Sequence, residues 1–323
     1  MRFRLPLAAA AATVVFAGLV AAVPASASTA AAPAPAAQAH RHHLPSTYAV
    51  PGEQAYPEGS AADERTGTFW VSSLGTGAIY RGHAKDPQMR LFLEPGGDGR
   101  TSTLGLEYSR GVLYVAGGES GDVWAYDAYS GKLLTRQSTG AGGFVNDVTI
   151  GIDGAAYFTD SFRPYIYRLA RGRDGSWSLA RWLDVSSVVP FAEGEFNLNG
   201  IAPVHRGRYL MVVTTNTGRL YRIDVLKRAI TPVRLVNADL ANGDGLEAYG
   251  NSLYVVRNVD DTVVRVRLSR RATVATGVAS LSDPSFATPT TAEVLWGRLL
   301  VVNSQFVAET PKLPFTVSAV PLF

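Results

Sequence analysis

The chain has 323 residues, contains no cysteine, and carries 30 basic against 27 acidic side chains, for a formal net charge of +3. The absence of cysteine excludes disulfides, thiolate metal sites and a cysteine nucleophile. Because the charge is nearly balanced and no basic patch dominates, the composition also argues against a nucleic-acid partner.

The first 27 residues have the pattern of a secretory signal peptide. Arg2 and Arg4 precede an apolar stretch at residues 5–23, and the small residues Ala25-Ser26-Ala27 follow it. This order predicts cleavage after Ala27 and a secreted, extracellular product. No later stretch contains the roughly 20 apolar residues that a membrane span requires, so we expect no membrane-embedded segment.

Residues 28–45 are predicted to form a disordered spacer. They are almost wholly Ala, Pro, Ser and Thr as far as Gln38, and His40, Arg41, His42 and His43 follow. Such a composition offers too little large apolar surface to form a core. Imidazoles suit soft metals, but a solvated tail is the simpler interpretation of the histidine cluster, and we assign it no function.

Residues 46–323 are predicted to form one all-β domain. Short alternating apolar runs bounded by Gly, Asn, Asp and Ser recur along it, without convincing helical periodicity. A phrase of three short strands separated by turns, the last strand rich in aromatic residues, returns six times at intervals of roughly 40 to 50 residues. This interval is typical of one four-stranded blade, so the pattern predicts a six-bladed β-propeller. A pair of β-sandwiches is the alternative, which the regular period disfavours.

The sixth repeat is one strand short, because the chain ends at Phe323 after three strands. Residues 47–50, just before the first repeat, are therefore predicted to supply the fourth strand and close the ring. Closure is needed because each blade exposes an apolar face that only its neighbours can cover. No internal linker suggests a second domain.

The first strand of each blade lines the central channel of a propeller, so the residue that opens each repeat faces a common axis. These positions are Glu58, Thr103 or Leu104, Asn146, Asn199, Asp244 and an uncertain sixth near Pro289. Two carboxylates and two amide carbonyls from four blades would suit a hard cation such as Ca²⁺, Mg²⁺ or Mn²⁺. The alternative is that Asn-Gly and Asp-Gly are ordinary turn formers. Glu58 favours the cation site, because glutamate has no special role in turns.

Several of these segments resemble motifs of a known family. Tyr56-Pro57-Glu58-Gly59, Val145-Asn146-Asp147, Leu198-Asn199-Gly200 and Gly243-Asp244-Gly245 are similar to the channel-lining motifs of the gluconolactonase/regucalcin family, and Tyr157-Phe158-Thr159-Asp160-Ser161 resembles its third-blade strand. The likeness spans residues 57–304. It implies that Glu58, Asn199 and Asp244 hold a divalent metal, with Asn146 close by. Ca²⁺ is the expected metal, ahead of Mg²⁺, Mn²⁺ and Zn²⁺.

The reaction that this resemblance implies is lactone hydrolysis, in which the metal polarises the ester carbonyl and a carboxylate activates water. Asp244 is the predicted base as well as a ligand. Enzymes of the family carry an arginine shortly before the third-blade asparagine, where this chain has Phe144. The departure disfavours sugar lactones and leaves a more apolar lactone, or no catalysis, as the expectation.

Other catalytic arrangements fail on composition. The predicted domain contains only His83 and His205, so it cannot assemble the histidine dyad of paraoxonase-like lactonases or a Ser-His-Asp triad, and it has no Gly-X-Ser-X-Gly motif. Glu107, Glu247 and Asp160 could approach the channel, but surface or interblade hydrogen bonding is their expected role.

Two functions therefore stay open. One is a metal-dependent hydrolase acting on a small molecule such as a lactone, and the other is a non-catalytic secreted binding propeller with a structural cation. An oxidoreductase with a quinone or redox metal is disfavoured by the lack of cysteine and of channel histidines. We expect a monomer with no nucleic-acid partner.

Overall fold

The structure is a computed structural model that describes residues 43–323. The predicted signal peptide and most of the predicted spacer, including His40 and His42, lie outside the described residues. Residues 43–45 form no strand, and the Pro45 carbonyl accepts a hydrogen bond of 2.6 Å from Arg298 Nη1. In the part of the chain that the structure describes, every helix is too short or too polar to cross a membrane.

The domain is all-β, as predicted, and its strands form six blades. The first blade contains β2 (Pro57–Asp63), β3 (Thr68–Ser73), β4 (Ile79–His83) and β5 (Asp86–Leu93). The second contains β6 (Leu106–Ser109), β7 (Val112–Ala116), β8 (Asp122–Asp127) and β9 (Leu133–Ser138). The third contains β10 (Val145–Ile150), β11 (Ala156–Asp160), β12 (Tyr165–Arg171) and β13 (Trp177–Asp184).

The remaining blades follow the same plan. The fourth contains β14 (Leu198–Val204), β15 (Tyr209–Thr214), β16 (Leu220–Asp224) and β17 (Ala229–Pro232). The fifth contains β19 (Gly243–Tyr249), β20 (Ser252–Arg257), β21 (Thr262–Leu268) and β22 (Val274–Leu281), with the short β18 (Arg234–Val236) parallel to β22. The sixth contains β23 (Pro289–Leu295), β24 (Arg298–Asn303) and β25 (Phe315–Pro321). Two 3₁₀ turns, Gly97–Gly99 and Asn258–Asp260, complete the regular structure.

The N-terminal strand closes the ring, which confirms the prediction. β1 (Thr47–Val50) pairs antiparallel with β25, with Thr47 opposite Ser318, and becomes the outer strand of the sixth blade. It also meets β5 of the first blade in a single parallel pairing. Tyr48 is fully buried, and its hydroxyl donates to the Ala84 carbonyl of the first blade at 2.8 Å. β1 therefore links the last blade to the first.

The ring closes around six interblade cores. Each innermost strand contacts the innermost strand of the next blade, and β23 contacts β2. Six apolar clusters fill the spaces between neighbouring blades, for example Trp70 and Leu93 against Trp124 and Tyr126 between the first and second blades. A blade is thus stabilised by burying apolar area on both faces, which only a closed ring provides for every blade.

Candidate functional site in the central channel

A β-bulge lies near the start of five of the six innermost strands. In the first blade the pairing register of β2 with β3 shifts between Pro57 and Ser60, and the third to sixth blades show the same shift at the same place. Bulges bend a strand and re-aim its side chains. The residues at the five bulges that line one shared cavity are Glu58, Asn146, Asn199, Asp244 and Thr290.

Glycines beside the bulges let the innermost strands approach one another closely. A Cβ placed on Gly200 would lie 2.1 Å from the Asp244 carbonyl oxygen, and one on Gly59 would lie 2.3 Å from that of Leu104. Side chains at these positions would push neighbouring blades apart. Asn199-Gly200 lies within β14 and Asp244-Gly245 within β19. Their glycines allow neighbouring innermost strands to pack closely. The alternative that they are turn formers is wrong.

The shared cavity has a polar base and apolar walls. Its volume is about 270 Å³. The polar lining comprises Glu58, Asn146, Asn199, Thr215, Asp244, Asn258 and Thr290. The apolar lining comprises Leu74, Leu104, Phe144, Phe196 and Phe306. The predicted site residues are therefore brought together, and of the two residues weighed for the second blade, it is Leu104 that lines the cavity.

In the third, fourth and fifth blades, the residue that directly follows the second strand hydrogen-bonds to the channel residue of the same blade. In the third blade Asn146 Nδ2 donates to Ser161 Oγ at 2.9 Å, and in the fourth blade Asn199 Nδ2 donates to Thr215 Oγ1 at 2.8 Å. Sequence reasoning missed this second set of residues. A polar residue after the hydrophobic second strand of the third, fourth and fifth blades was the available signal.

The fifth blade follows the same rule. Asn258 directly follows β20, and its Nδ2 donates to Asp244 Oδ2 at 3.1 Å. Asn258 also begins the 3₁₀ turn Asn258–Asp260, which fixes its backbone beside the channel. The 3₁₀ turn thus fixes Asn258, and Asn258 in turn orients Asp244, the predicted base.

Two oxygens at the base of the cavity lack hydrogen-bond donors. Glu58 Oε2 and Asn146 Oδ1 are both buried without a partner among the described residues. Buried acceptors without a donor cost free energy unless a ligand, ion or water satisfies them. Carboxylate and amide oxygens are the donor set that hard divalent cations prefer, so the residues present fit such an ion.

The cation would depend on amide oxygens and water as well as on carboxylates. Among residues 43–323 no group of three or more His, Cys, Asp or Glu side chains is arranged to hold a metal. Glu58 and Asp244 are the two carboxylates that line the cavity, beside Asn146 and Asn199. Such a mixed, partly neutral oxygen set is compatible with Ca²⁺, which accepts amide and water ligands.

Burial strongly perturbs both carboxyl groups. It raises the pKa of Glu58 well above its ordinary value, and the negative charges of Asp244 and Asp147 raise it further. Burial also raises the pKa of Asp244 to about 7, against hydrogen bonds from Asn258 and Asn199 that lower it. Uncompensated carboxylates in one cavity repel each other, and a bound cation would relieve that repulsion.

Asp147 directly follows Asn146, does not line the cavity, and is tied to the backbone. Its Oδ1 accepts from Val148 N at 2.8 Å and its Oδ2 accepts from Ile201 N at 2.9 Å, the second bond joining the third and fourth blades. Burial raises its pKa to about 7, while both backbone hydrogen bonds act to lower it. Since both oxygens have donors, Asp147 acts as an interblade link.

Three further glutamates line the innermost strands beyond the cavity. Glu107, Glu247 and Glu293 stand three residues after Leu104, Asp244 and Thr290. Thr149 Oγ1 donates to Glu107 Oε2 at 3.3 Å and Val294 N donates to Glu247 Oε1 at 3.1 Å, in each case from the next blade. Burial raises the pKa of Glu107 and of Glu247 to about 8.

Asp160 does not line the cavity but supports its wall. Its Oδ1 accepts from the backbone amides of Phe144, Phe162 and Arg163 at 2.8, 3.0 and 3.0 Å. This carboxylate fixes two aromatic residues at the mouth of the channel.

The fold is similar to those of several solved structures. The major allergen Mala s 1 of Malassezia sympodialis is 16% identical over 86% of this chain and 96% of its own, with a TM-score of 0.64. A calcium-binding protein, regucalcin, from Agrobacterium tumefaciens is 16% identical over 87% and 96%, with a TM-score of 0.61. Virginiamycin B lyase from Staphylococcus aureus is 14% identical over 85% and 83%, with a TM-score of 0.58. No family model matches the chain, and no curated protein matches its sequence.

Proposed function

We propose that this chain is a secreted hydrolase of lactones or related esters that depends on a divalent cation in the central channel. The observation that carries the proposal is the cluster of oxygens from four blades at the base of an apolar cavity, two of them buried without a donor. The calcium binding stated for the Agrobacterium regucalcin supports Ca²⁺ as the ion. Export rests on the signal pattern of residues 1–27.

Glu58, Asn199 and Asp244 would hold the cation, and the free Oδ1 of Asn146 points to a fourth contact. A divalent cation held there would supply Lewis-acid polarisation of an ester carbonyl and withdraw charge as the reaction proceeds. The rest of the chemistry belongs to the side chains. Their positions are fixed by the bulges and by Ser161, Thr215 and Asn258.

Asp244 is the proposed base. A carboxylate can accept a proton from water at neutral pH when it is held in the ionised form. The water oxygen then bonds to the carbonyl carbon, the ring C–O bond breaks, and the proton passes to the leaving oxygen. Asn258 acts as a positioning residue, because its hydrogen bond to Oδ2 fixes the orientation of the Asp244 carboxylate. The apolar walls limit access of bulk water.

The test combines cation titration with a hydrolysis panel. Calorimetry with Ca²⁺, Mn²⁺ and Zn²⁺ should show binding, and lactones should be hydrolysed in the presence of the bound ion. Asp244→Asn should lower kcat/KM by about two orders of magnitude or more, as expected on loss of a base and a ligand. Asp174→Asn, on an exposed hairpin, is the matched control and should leave activity unchanged.

The outcome separates the two functions that the sequence left open. Metal-independent turnover that survives Asp244→Asn would contradict the proposal. Cation binding with no turnover of any lactone would instead support the binding propeller, for which Phe144 in place of an arginine is the favouring observation.

A further inference from the structure

The walls of the cavity show which part of a substrate they can accept. Phe144, Phe162 and Phe196 form an aromatic cluster, with ring centroids 5.4 Å apart for Phe144 and Phe162 and 5.0 Å apart for the other two pairs. Phe306 and Leu74 continue the lining of the cavity. Phe162, Phe196 and Phe306 are each between 37% and 42% exposed, so the apolar surface extends from the cavity to solvent.

These rings are held in place before any ligand binds. Asp160 fixes the backbone at Phe144 and Phe162. The fully buried Asn197 fixes the loop at Phe196, because its Oδ1 accepts from Ala192 N and its Nδ2 donates to the Ala192, Glu195 and Ser161 carbonyls. A preformed wall needs little ordering when a ligand binds, so burial of apolar area contributes more fully to affinity.

The hydroxyl and amide donors of the cavity are already engaged within the protein, and its two unpartnered acceptors, Glu58 Oε2 and Asn146 Oδ1, belong to the proposed cation site. Thr215 Oγ1 donates to the Gly243 carbonyl at 2.8 Å, Thr290 Oγ1 donates to the Glu58 carbonyl at 2.7 Å, and Asn258 donates to Asp244. Among residues 43–323, no lysine, arginine or histidine lines the cavity. A ligand rich in hydroxyl groups would lose its hydrogen bonds to water and find few replacements, which is costly.

We infer that the cavity selects an ester or lactone with a hydrocarbon substituent, alkyl or aromatic, whose carbonyl end meets the oxygen cluster and whose substituent packs on the phenylalanine wall. The inference rests on the proposed function for the reaction and on the wall alone for the ligand class. A cavity of about 270 Å³ holds roughly nine water-sized groups at about 30 Å³ each. An unsubstituted five-membered lactone, with five ring atoms and its carbonyl oxygen, therefore leaves space for about three methylenes.

The experiment measures chain-length dependence in two assays. In the first, kcat/KM is determined for γ-lactones whose alkyl substituent grows from none to six carbons, with glucono-δ-lactone as the polar comparison. Each buried methylene contributes about 0.8 kcal/mol, or about fourfold. We expect that increase for about the first three methylenes, then a plateau, and only weak turnover of the sugar lactone.

In the second assay, calorimetry measures binding of the matching alkyl lactams, which are not hydrolysed. Their Kd should fall about fourfold per methylene over the same range. Phe196→Ala and Phe306→Ala, both at partly exposed positions that should tolerate truncation, should weaken binding of the longer lactams by about fivefold and leave the shortest unchanged. Tyr249→Ala, an exposed aromatic residue at the far end of β19, is the matched control and should change neither.

The two assays distinguish the two proposals. Lactam binding that strengthens with chain length, without turnover of any lactone, would overturn the hydrolase proposal and keep the ligand class. Turnover that favours glucono-δ-lactone or ignores chain length would overturn the ligand class and keep the hydrolase. Failure of every lactam to bind would also overturn the ligand class.

Discussion

At one end of the central channel, Glu58 and Asp244 share a cavity with amide oxygens and phenyl rings, whereas Glu107, Glu247 and Glu293 lie further along the innermost strands. Both groups are acidic, and burial raises pKa values in both. They differ in their hydrogen bonds. Glu107 and Glu247 receive donors from the next blade, while Glu58 Oε2 has none among the described residues.

This difference teaches that acidity alone does not identify a ligand site in this channel. A buried carboxyl that accepts a hydrogen bond from the neighbouring blade already has a structural role, because it links two blades. A buried carboxylate oxygen without a donor that also faces a cavity is left for a ligand, ion or water to satisfy. The missing donor at Oε2 therefore distinguishes Glu58 from Glu107 and Glu247, which link neighbouring blades.

The largest expected effect on cation affinity and hydrolysis comes from replacing a glutamate by glutamine, and it should differ between the two ends of the channel. Glu58→Gln should reduce cation affinity and lactone hydrolysis by about two orders of magnitude, because a metal contact worth several kcal/mol loses its charge. Glu107→Gln should leave both within about twofold. Calorimetry and initial rates on the two variants make the measurement.

Protein stability provides the control for that pair. Glu58→Gln should not lower the melting temperature in the absence of metal, since it removes an unpaired buried acid. If Glu107→Gln impaired cation binding as strongly as Glu58→Gln, the distinction between the two ends would be wrong.

A smaller effect is expected from Asn258→Ala. Loss of the hydrogen bond to Asp244 Oδ2 should weaken cation binding by roughly tenfold to a hundredfold, the range for residues that position a metal ligand. The same hydrogen bond lowers the pKa of Asp244, so its removal raises that pKa. Because a carboxylate must be deprotonated to bind metal, the midpoint of the pH dependence of binding should move to higher pH.

Asn242→Ala is the matched control for this variant. Asn242 Nδ2 donates to Asp260 Oδ2, which lies in the same 3₁₀ turn as Asn258 but does not contact Asp244. A lower affinity with an unshifted pH midpoint would show that Asn258 acts on the loop and not on Asp244. Calorimetric titrations between pH 5 and 9 distinguish the two.

The smallest effect is on stability at the other end of the channel. The pKa of Glu107 and of Glu247 is about 8 in the folded protein against an ordinary 4.5, so the folded state keeps protons that the unfolded state has released. Stability from this source is present below pH 4.5 and is lost as pH rises to about 8. Glu107→Gln and Glu247→Gln should each raise the melting temperature by about 2–4 °C at pH 9, or about 1 kcal/mol.

Thermal melts at pH 4 and pH 9 check this expectation, with the exposed Glu119→Gln as control. At pH 4 the glutamates and glutamines are both neutral and the melting temperatures should agree. A gain of equal size at both pH values would assign the effect to packing instead of ionisation.

Much of the fold could be predicted because its signals are local. The alternating strands, the repeat interval and the missing sixth-blade strand predicted six blades and closure by β1, and the structure has both. The approximate positions of Glu58, Asn146, Asn199 and Asp244 followed from the same repeat. The second set, Ser161, Thr215 and Asn258, did not, because these residues reach the channel only through the pairing of the first and second strands.

The sequence by itself determined the blade pattern and which residues open each innermost strand, since hydrophobic period and repeat length are properties of neighbouring residues. Only the tertiary structure decided which oxygens have donors and which face an apolar wall. Those properties depend on bulges that re-aim side chains, on glycines that let strands approach, and on contacts between blades far apart in the chain. Asp244 and Glu247 show the difference: they lie three residues apart on β19, and strand pairing gives one a place in the cavity and the other a hydrogen bond from the next blade.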